Sequence, residues 1–415
     1  MTDGMDINFQ RKIDRFVGVP VCALLSLVER LRRRRPVADP PKRILVLLLS
    51  EMGSLVLARP MFSYLKSRYP NASIHVMVFE KNREVLDLLA VVPETDVLTL
   101  NDRSIGAFAS DSIGILRRMR SLRFDVVIDC ELFARVSSIF SYLSGAPVRV
   151  GFHPHTQEGL YRGSYINRPV LYNPYRHIAR QFLALAAALE SDTCPVSKDA
   201  PSADSVGMPM LDIGPVERGE MAERLDADFP AIRGKKLVLV YPSGGILPIR
   251  AWPLEHYRRL CAALLGEGYA IGIIGLQSDR SYAQVLQDDC RSPLCIDLTG
   301  YTKSVRELVV LFYRASLLIT NDGGPVHFST LTPIPSIVFF GPETPVLYGS
   351  LAKNAHSFFL SVPCSPCLTA YNHRTSPCDG DNQCLNRIDP EQVVARARMM
   401  LESPRGTGAA AGDDG

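Results

Sequence analysis

The sequence predicts an α/β protein built from two successive Rossmann-like, doubly wound domains with a cleft between them. Three observations predict it. Short, fully apolar runs such as RILVLLL at 43–49 have the length and content of strands buried in parallel sheets. Helical segments alternate with these runs across connections of a few residues. The alternation stops in a polar stretch at 192–214 and a second alternating series begins at Lys235.

Bulk properties agree. A chain of 415 residues suggests two or three domains. With 47% hydrophobic and 21% charged residues it reads as globular with ample core. A formal net charge of +3 is too small to suggest a nucleic-acid partner. Ten cysteines scattered through so long a chain do not form a small secreted disulfide framework, which favours a reducing compartment.

At the amino end, Phe16–Val28 is an apolar segment too short to span a bilayer, which needs ~20 residues. It is followed by Arg30 and Arg32–Arg35, with no signal-cleavage pattern. This arrangement suits a helix lying on an anionic cytoplasmic leaflet. The alternative is a helix packed on the protein with a solvated basic tail. Residues 1–41 therefore read as a membrane-associating helix and linker.

The first domain spans 42–191. Strands are predicted at 43–49, 73–79, 96–100, 125–129 and 148–152, and helices at 55–68, 82–90, 105–121, 133–143 and 178–191. Between Gly151 and Arg176 the periodicity fails. Such irregular segments often build substrate sites, and Arg162, Arg168 and Arg176 there are candidates for contacting an acidic acceptor. Residues 192–234 form an interdomain connection with a helix at 216–226.

The second domain spans 235–402, and 403–415 reads as a disordered tail. Its strands are predicted at 236–241, 269–274, 294–298, 316–320 and 337–340. Helices fall at 254–265, 278–288, 305–313, 326–331 and 389–402, the last with Asp389 as cap and Pro390 in its first turn. Ligands of such sheets bind outside the carboxyl ends of strands. Ser243, Gly244, Gly275 and Asp322 all fall at such ends. The segment Asn321–His327 runs from a strand through Gly323, Gly324 and Pro325 into a helix. Its backbone N–H groups can hold a diphosphate, with His327 one turn in. An ordinary tight turn with a satisfied histidine has the same sequence.

Cys364, Cys367, Cys378 and Cys384 are spaced C-x2-C-x10-C-x5-C. Four thiolates at this spacing suit a structural zinc. Buried reduced thiols or a disulfide fit it too.

Four segments, in order, resemble glycosyltransferase family 9, the lipopolysaccharide heptosyltransferases. They are ILVLLLSEMGSLVLARPMFSYLKSRYPNASIHVMV, YPSGGILPIRAWPLEHYRRLCAALLGEGYAIGIIG, LTGYTKSVRELVVLFYRASLLITNDGGPVHFS and FFGPETP. The resemblance runs from about Lys42 to Leu401. It implies the GT-B fold and inverting transfer of a sugar, heptose in this family, from a nucleotide-sugar donor such as ADP-heptose to a lipid-linked glycan. No cofactor is then required. Carried over, Asp322, Gly323, Gly324 and His327 would hold the donor diphosphate and sugar. Arg250 would contact phosphate, Ser243 and Gly244 would line the pocket, and Gln277 would lie near the nucleoside. Arg250 and the backbone amides would stabilise the leaving group without a metal.

One position departs from the family pattern. The general base is an Asp in a loop S-x-x-G-D, and here the loop is Ser50-Glu51-Met52-Gly53-Ser54. Glu51 is the nearest carboxylate and is expected to substitute at the catalytic position of Ser54. The expectation is a cytoplasmic glycosyltransferase, peripheral on the inner face of the membrane. Its partners would be a nucleotide sugar, a lipid-linked glycan and an anionic membrane surface. The loss of the Asp leaves two alternatives open: a non-catalytic sugar-nucleotide or glycan-binding protein, or a GT-B enzyme with another donor or epimerase activity.

Overall fold

The computed structural model describes residues 7–31, 39–49, 51–152, 161–191, 208, 210–369 and 375–403. The arginine run at 32–35, residues 153–160 of the irregular stretch, the connection at 192–207 and the tail from 404 lie outside these residues. Two compact units divide the chain: Met1–Gly207 with Thr369–Arg374, and Met208–Leu368 with Thr375–Gly415.

The first unit opens with helices α1 (Ile7–Phe16) and α2 (Gly18–Leu31). There follow β1 (Arg43–Leu47), α3 (Met52–Leu57), α4 (Arg59–Arg68), β2 (Ser73–Phe79), α5 (Arg83–Leu89), β3 (Val97–Leu100) and α6 (Ile105–Leu122). The unit closes with β4 (Val126–Asp129), α7 (Arg135–Leu143), β5 (Val148–Phe152), β6 (Arg168–Val170) and α8 (Ile178–Ala187). Its six strands pair in the order β3-β2-β1-β4-β5-β6, and every pairing is parallel. This is the order of dinucleotide-binding sheets, with the switch point between β1 and β4.

The second unit contains α9 (Pro215–Asp228), β7 (Leu237–Tyr241), α10 (Leu254–Gly266), β8 (Ala270–Gly275), α11 (Arg280–Cys290), β9 (Cys295–Thr299) and α12 (Val305–Arg314). It continues through β10 (Leu317–Asn321), α13 (Gly324–Ser329), β11 (Ser336–Phe340), α14 (Pro345–Tyr348), β12 (Ala355–Phe359), α15 (Gln383–Asn386) and α16 (Pro390–Glu402). Its order, β12-β11-β10-β7-β8-β9, repeats that of the first sheet, again all parallel, with the switch between β7 and β10.

Several expectations are corrected. The single helix predicted from Leu55 to Arg68 is two, α3 and α4, joined at Ala58. Pro60 lies in the first turn of α4, where its missing N–H and its ring break the ladder. The edge strands β6 and β12 and the short helix α14 were not expected. β6 has only three residues, and one of them is Pro169. The amino-terminal helices fall within the first unit. No helix among the described residues is long and apolar enough to cross a membrane.

Arg162 does not stand at a surface to meet an acceptor. It is 1% exposed. Its Nε donates to the Ala134 carbonyl at 2.9 Å, and Nη2 donates to Ser137 Oγ at 2.8 Å and to the Asp129 carboxylate. Arg168, in β6, donates to the Ser191 carbonyl. Arg176 is exposed. Replacing Arg162 by Ala strands Asp129 as a buried, unpaired charge. The expected cost is about 3–5 kcal/mol, read as a lower urea midpoint at constant m-value. Unaltered stability would return Arg162 to the list of acceptor contacts.

Candidate functional site

In the second unit the candidate residues gather at the carboxyl end of the sheet around Asn321. This side chain ends β10 and is 0% exposed. Its Oδ1 accepts from the Trp252 N–H at 2.9 Å and lies 2.9 Å from the Tyr257 hydroxyl. Its Nδ2 donates to the Ser243 carbonyl at 3.1 Å and the Tyr241 carbonyl at 3.3 Å. All four bonding capacities of the amide are met. They tie the turn after β7, the segment ahead of α10 and the end of β10 to one point. Trp252 stacks on Phe339 at 4.3 Å and donates its indole N–H to the Ile388 carbonyl at 3.2 Å, which fixes the segment that carries Arg250.

Arg250 is thereby brought between two carboxylates. Its Nη2 donates to Glu343 Oε1 at 3.2 Å, and its Nε is 3.8 Å from Asp322 Oδ2. Both acids are buried, while the Arg250 side chain keeps 15% of its surface. Asp322 follows β10 and Glu343 follows β11, so neighbouring strands deliver the two acids. Glu343 is a site residue that the sequence reading missed. Its signal was a lone acid in the turn FFGPETP directly after an apolar strand.

The glycines differ in role. A Cβ at Gly244 would come within 2.7 Å of the Leu247 carbonyl oxygen, so the turn itself requires glycine. At Gly323 and Gly324 an added Cβ would meet nothing closer than 3.9 and 3.6 Å. The backbone there is open on the side a ligand would approach. His327 is buried in α13.

Ser243 is committed internally. Its Oγ lies 2.8 Å from Asp279 Oδ1 and accepts from the Gly245 N–H at 3.1 Å. It therefore shapes the turn, and Asp279 also accepts from the Leu276 N–H at 2.8 Å. Burial, then the Asp279 charge, push the Tyr241 hydroxyl up to about 12. Gln277 is exposed beside Gly300, whose missing side chain admits it.

In the first unit the loop after β1 is held at its base. The Leu49 N–H donates to Glu131 Oε1 at 2.7 Å, and Asn82 Nδ2 donates to the Leu49 carbonyl at 2.5 Å. Glu51 precedes α3 in extended conformation. Ser54, in the first turn of α3, donates its hydroxyl to Glu51 Oε2 at 3.3 Å. A carboxylate from position 51 thus lies against the side chain of position 54.

The zinc expectation finds no support. Among the described residues, no three His, Cys, Asp or Glu side chains gather to hold a metal ion. Cys384 is turned inward beneath Gly341, and burial, then the neighbouring cysteines, push its thiol up to about 11. Cys364 is exposed, Cys367 Sγ lies 3.1 Å from Ser376 Oγ, and Cys378 Sγ lies 3.4 Å from Asn382 Oδ1.

Replacing Asn321 by Ala takes the bonds of the Trp252 N–H and the Ser243 carbonyl from a closed interior, while the Tyr257 hydroxyl keeps the Tyr241 carbonyl at 3.1 Å. The expected loss is about 2–4 kcal/mol, measured by urea unfolding, with weaker sugar-nucleotide binding in parallel. A loss below about 1 kcal/mol would show that the junction holds without it.

Comparison with known proteins follows the same lines. A model of glycosyltransferase family 9 (heptosyltransferase) matches residues 113–376. Lipooligosaccharide heptosyltransferase 2 of Haemophilus influenzae is 26% identical over 319 residues, which is 75% of this chain and 87% of that protein. Among solved structures, a family 9 glycosyltransferase from Veillonella parvula superposes with a TM-score of 0.68 at 21% identity, over 87% of this chain and 97% of that one. ADP-heptose lps heptosyltransferase II of E. coli does so with a TM-score of 0.64 at 20% identity, over 86% and 98%. With two parallel sheets of dinucleotide-binding order in the GT-B class and a family match over more than half its length, the chain belongs to glycosyltransferase family 9 and is a glycosyltransferase.

Proposed function

We propose that the enzyme transfers a heptose-type sugar, with inversion, from an ADP-heptose-type donor to a hydroxyl of a lipid-linked glycan. The sugar and the acceptor class are supported by the relatives, which are named lipooligosaccharide and lipopolysaccharide heptosyltransferases. The observation that carries the reading is the Glu51 carboxylate at 3.3 Å from the Ser54 hydroxyl. The family's base position holds no acid of its own, and this loop supplies one from three residues earlier.

Glu51 accepts the proton of the acceptor hydroxyl, and that oxygen attacks the anomeric carbon. The bond from this carbon to the diphosphate oxygen breaks, and its electron pair leaves with the nucleoside diphosphate. Arg250 and the N–H groups of Gly323 and Gly324 meet the charge that develops there. Asp322 and Glu343 aim Arg250, His327 faces the sugar and diphosphate, and Gln277 serves the nucleoside. Ser243 and Gly244 give the turn its shape. Arg176 is the exposed arginine of the acceptor segment and contacts anionic groups of the acceptor. The enzyme works on the cytoplasmic face of the membrane as a peripheral protein, where sugar nucleotides and a lipid-linked acceptor meet.

Glu51→Gln is expected to lower kcat about 10²–10⁴-fold with donor KM little changed. Placing Ser54→Asp in the Glu51→Gln background should restore part of that loss. Full turnover by Glu51→Gln, measured as ADP release with ADP-heptose and acceptor, would sink the assignment. Arg250→Ala should raise donor KM about 10–100-fold, as loss of a charge-assisted bond to phosphate requires. Titration of ADP by calorimetry checks the binding part of that effect.

A further inference from the structure

The helix α2 is built inside out. Gly18, Cys22, Ser26 and Glu29 recur on one stripe and face the first unit. On the opposite stripe Leu24, Leu27 and Leu31 are 60%, 56% and 85% exposed, and Phe16 and Val17 continue it at the turn from α1. A helix packed only for stability buries its leucines. This one buries Gly18, Cys22 and Ser26, with Leu25 partly buried beside them, and leaves Leu24, Leu27 and Leu31 in water.

The polar side is a clamp. Asp14, near the end of α1, accepts from the backbone N–H groups of Arg135 and Val136 at 2.8 and 3.0 Å. It thereby caps α7 from another helix, and it also pairs with the Arg135 guanidinium at 3.2 Å. Gly18 lies so close to Arg135 that a Cβ there would sit 2.8 Å from the Arg135 Cβ. Further along, Ser26 Oγ accepts from the Ser164 N–H at 2.9 Å and donates to the Cys22 carbonyl at 2.6 Å. At the far end Glu29 pairs with the buried Arg149, which precedes the middle of β5. The clamp therefore runs the length of α7, from its amino end at Arg135 toward the start of β5.

We propose that the exposed stripe Phe16, Val17, Leu24, Leu27, Val28 and Leu31 docks on an anionic lipid bilayer, with α2 lying flat in the interface. The inference rests on the membrane reading above and adds an orientation to it. The charge around the stripe selects the occupant. Lys12, Arg15 and Arg30 are exposed on the hairpin, and the sequence continues into Arg32–Arg35. An apolar stripe edged by cations matches acyl chains beneath anionic headgroups better than it matches a protein partner.

The orientation follows from connectivity. α7 links the parallel strands β4 and β5, so it runs antiparallel to them. α2 runs beside α7 in the same sense, because Gly18 meets the start of α7 and Glu29 meets the strand after it. With α2 flat on the membrane, the strands of the first sheet also run along the membrane plane. Their carboxyl-end rim, with the Glu51 loop, then opens sideways along the bilayer. A lipid-linked acceptor reaches the rim by lateral diffusion, next to Phe16 and Val17.

The test uses the full chain and vesicles of phosphatidylcholine with about one-third phosphatidylglycerol. The triple variant Leu24→Gln/Leu27→Gln/Leu31→Gln should bind at least about tenfold more weakly, since these exposed side chains carry the buried apolar area. Its melting temperature should stay within about 2 °C. Single variants Leu24→Trp and Leu31→Trp, read against native Trp252, should be quenched equally by lipids brominated at one acyl depth. Wild-type binding by the triple variant would overturn the docking, and quenching at 31 alone would overturn the flat orientation. Sugar transfer to a water-soluble acceptor fragment should be unchanged in the triple variant. A wild type that binds vesicles but turns over no nucleotide sugar would contradict the transferase reading and leave this one standing.

Discussion

The amide of Asn321 is the constraint on which the second unit's site depends. One side chain with two donors and two acceptors joins three segments that are far apart in sequence. The partners are backbone groups and one buried hydroxyl, which need bonds in a dry interior. The end of β10, the turn after β7 and the run-in to α10 therefore keep one relative position. Arg250 rides on that position, with Trp252 locked two residues later. The carboxylates of Asp322 and Glu343 then aim a guanidinium that already has a fixed stem.

The first unit solves the same problem with charge. Asp129 ends β4 and is neutralised by Arg162, which returns from a segment more than thirty residues on. Glu131, two residues past Asp129, holds the base of the loop after β1. Both sheets thus spend buried polar groups at their switch points, where the chain order reverses and a crevice is left beside the strand ends. Those buried groups are hydrogen-bonded to one another and to the backbone, which ties the strand ends of each sheet together. The amino-terminal hairpin extends the logic outward. Its polar stripe is used for attachment, which leaves its apolar stripe for something other than the core.

Much of this was legible in the sequence. The alternation of apolar runs and helical periods placed ten of the twelve strands within two residues at either end, because strands buried on both faces have no polar positions to blur them. The two missed strands are edges. β6 carries Pro169, and β12 is only partly buried along its length, so neither has the apolar signature of a central strand. Asp322, Gly323 and Gly324 were singled out because a strand end followed by small residues is a local pattern, and Arg250 because its segment resembles the family's. Glu343 and Asn321 were harder. A buried acid and a buried amide look in sequence like ordinary turn residues. Arg162 misled for the opposite reason, since an arginine in an irregular segment reads as exposed until its partner is known.

The sequence by itself determined the fold class, the two-unit division and the catalytic class, because period and motif are local properties that survive without coordinates. It also showed the missing Asp at position 54. Only the tertiary structure decided which polar residues are interior and which are available. It spent Ser243 and Arg162 on the framework and set the Glu51 carboxylate against Ser54. It set the four cysteines near one another at different depths, with Cys384 buried and Cys364 exposed, and turned Leu24, Leu27 and Leu31 of α2 outward. The physical reason is common to all four. A polar group's role depends on whether a partner from a distant part of the chain satisfies it, and that partner is fixed only when the chain has folded.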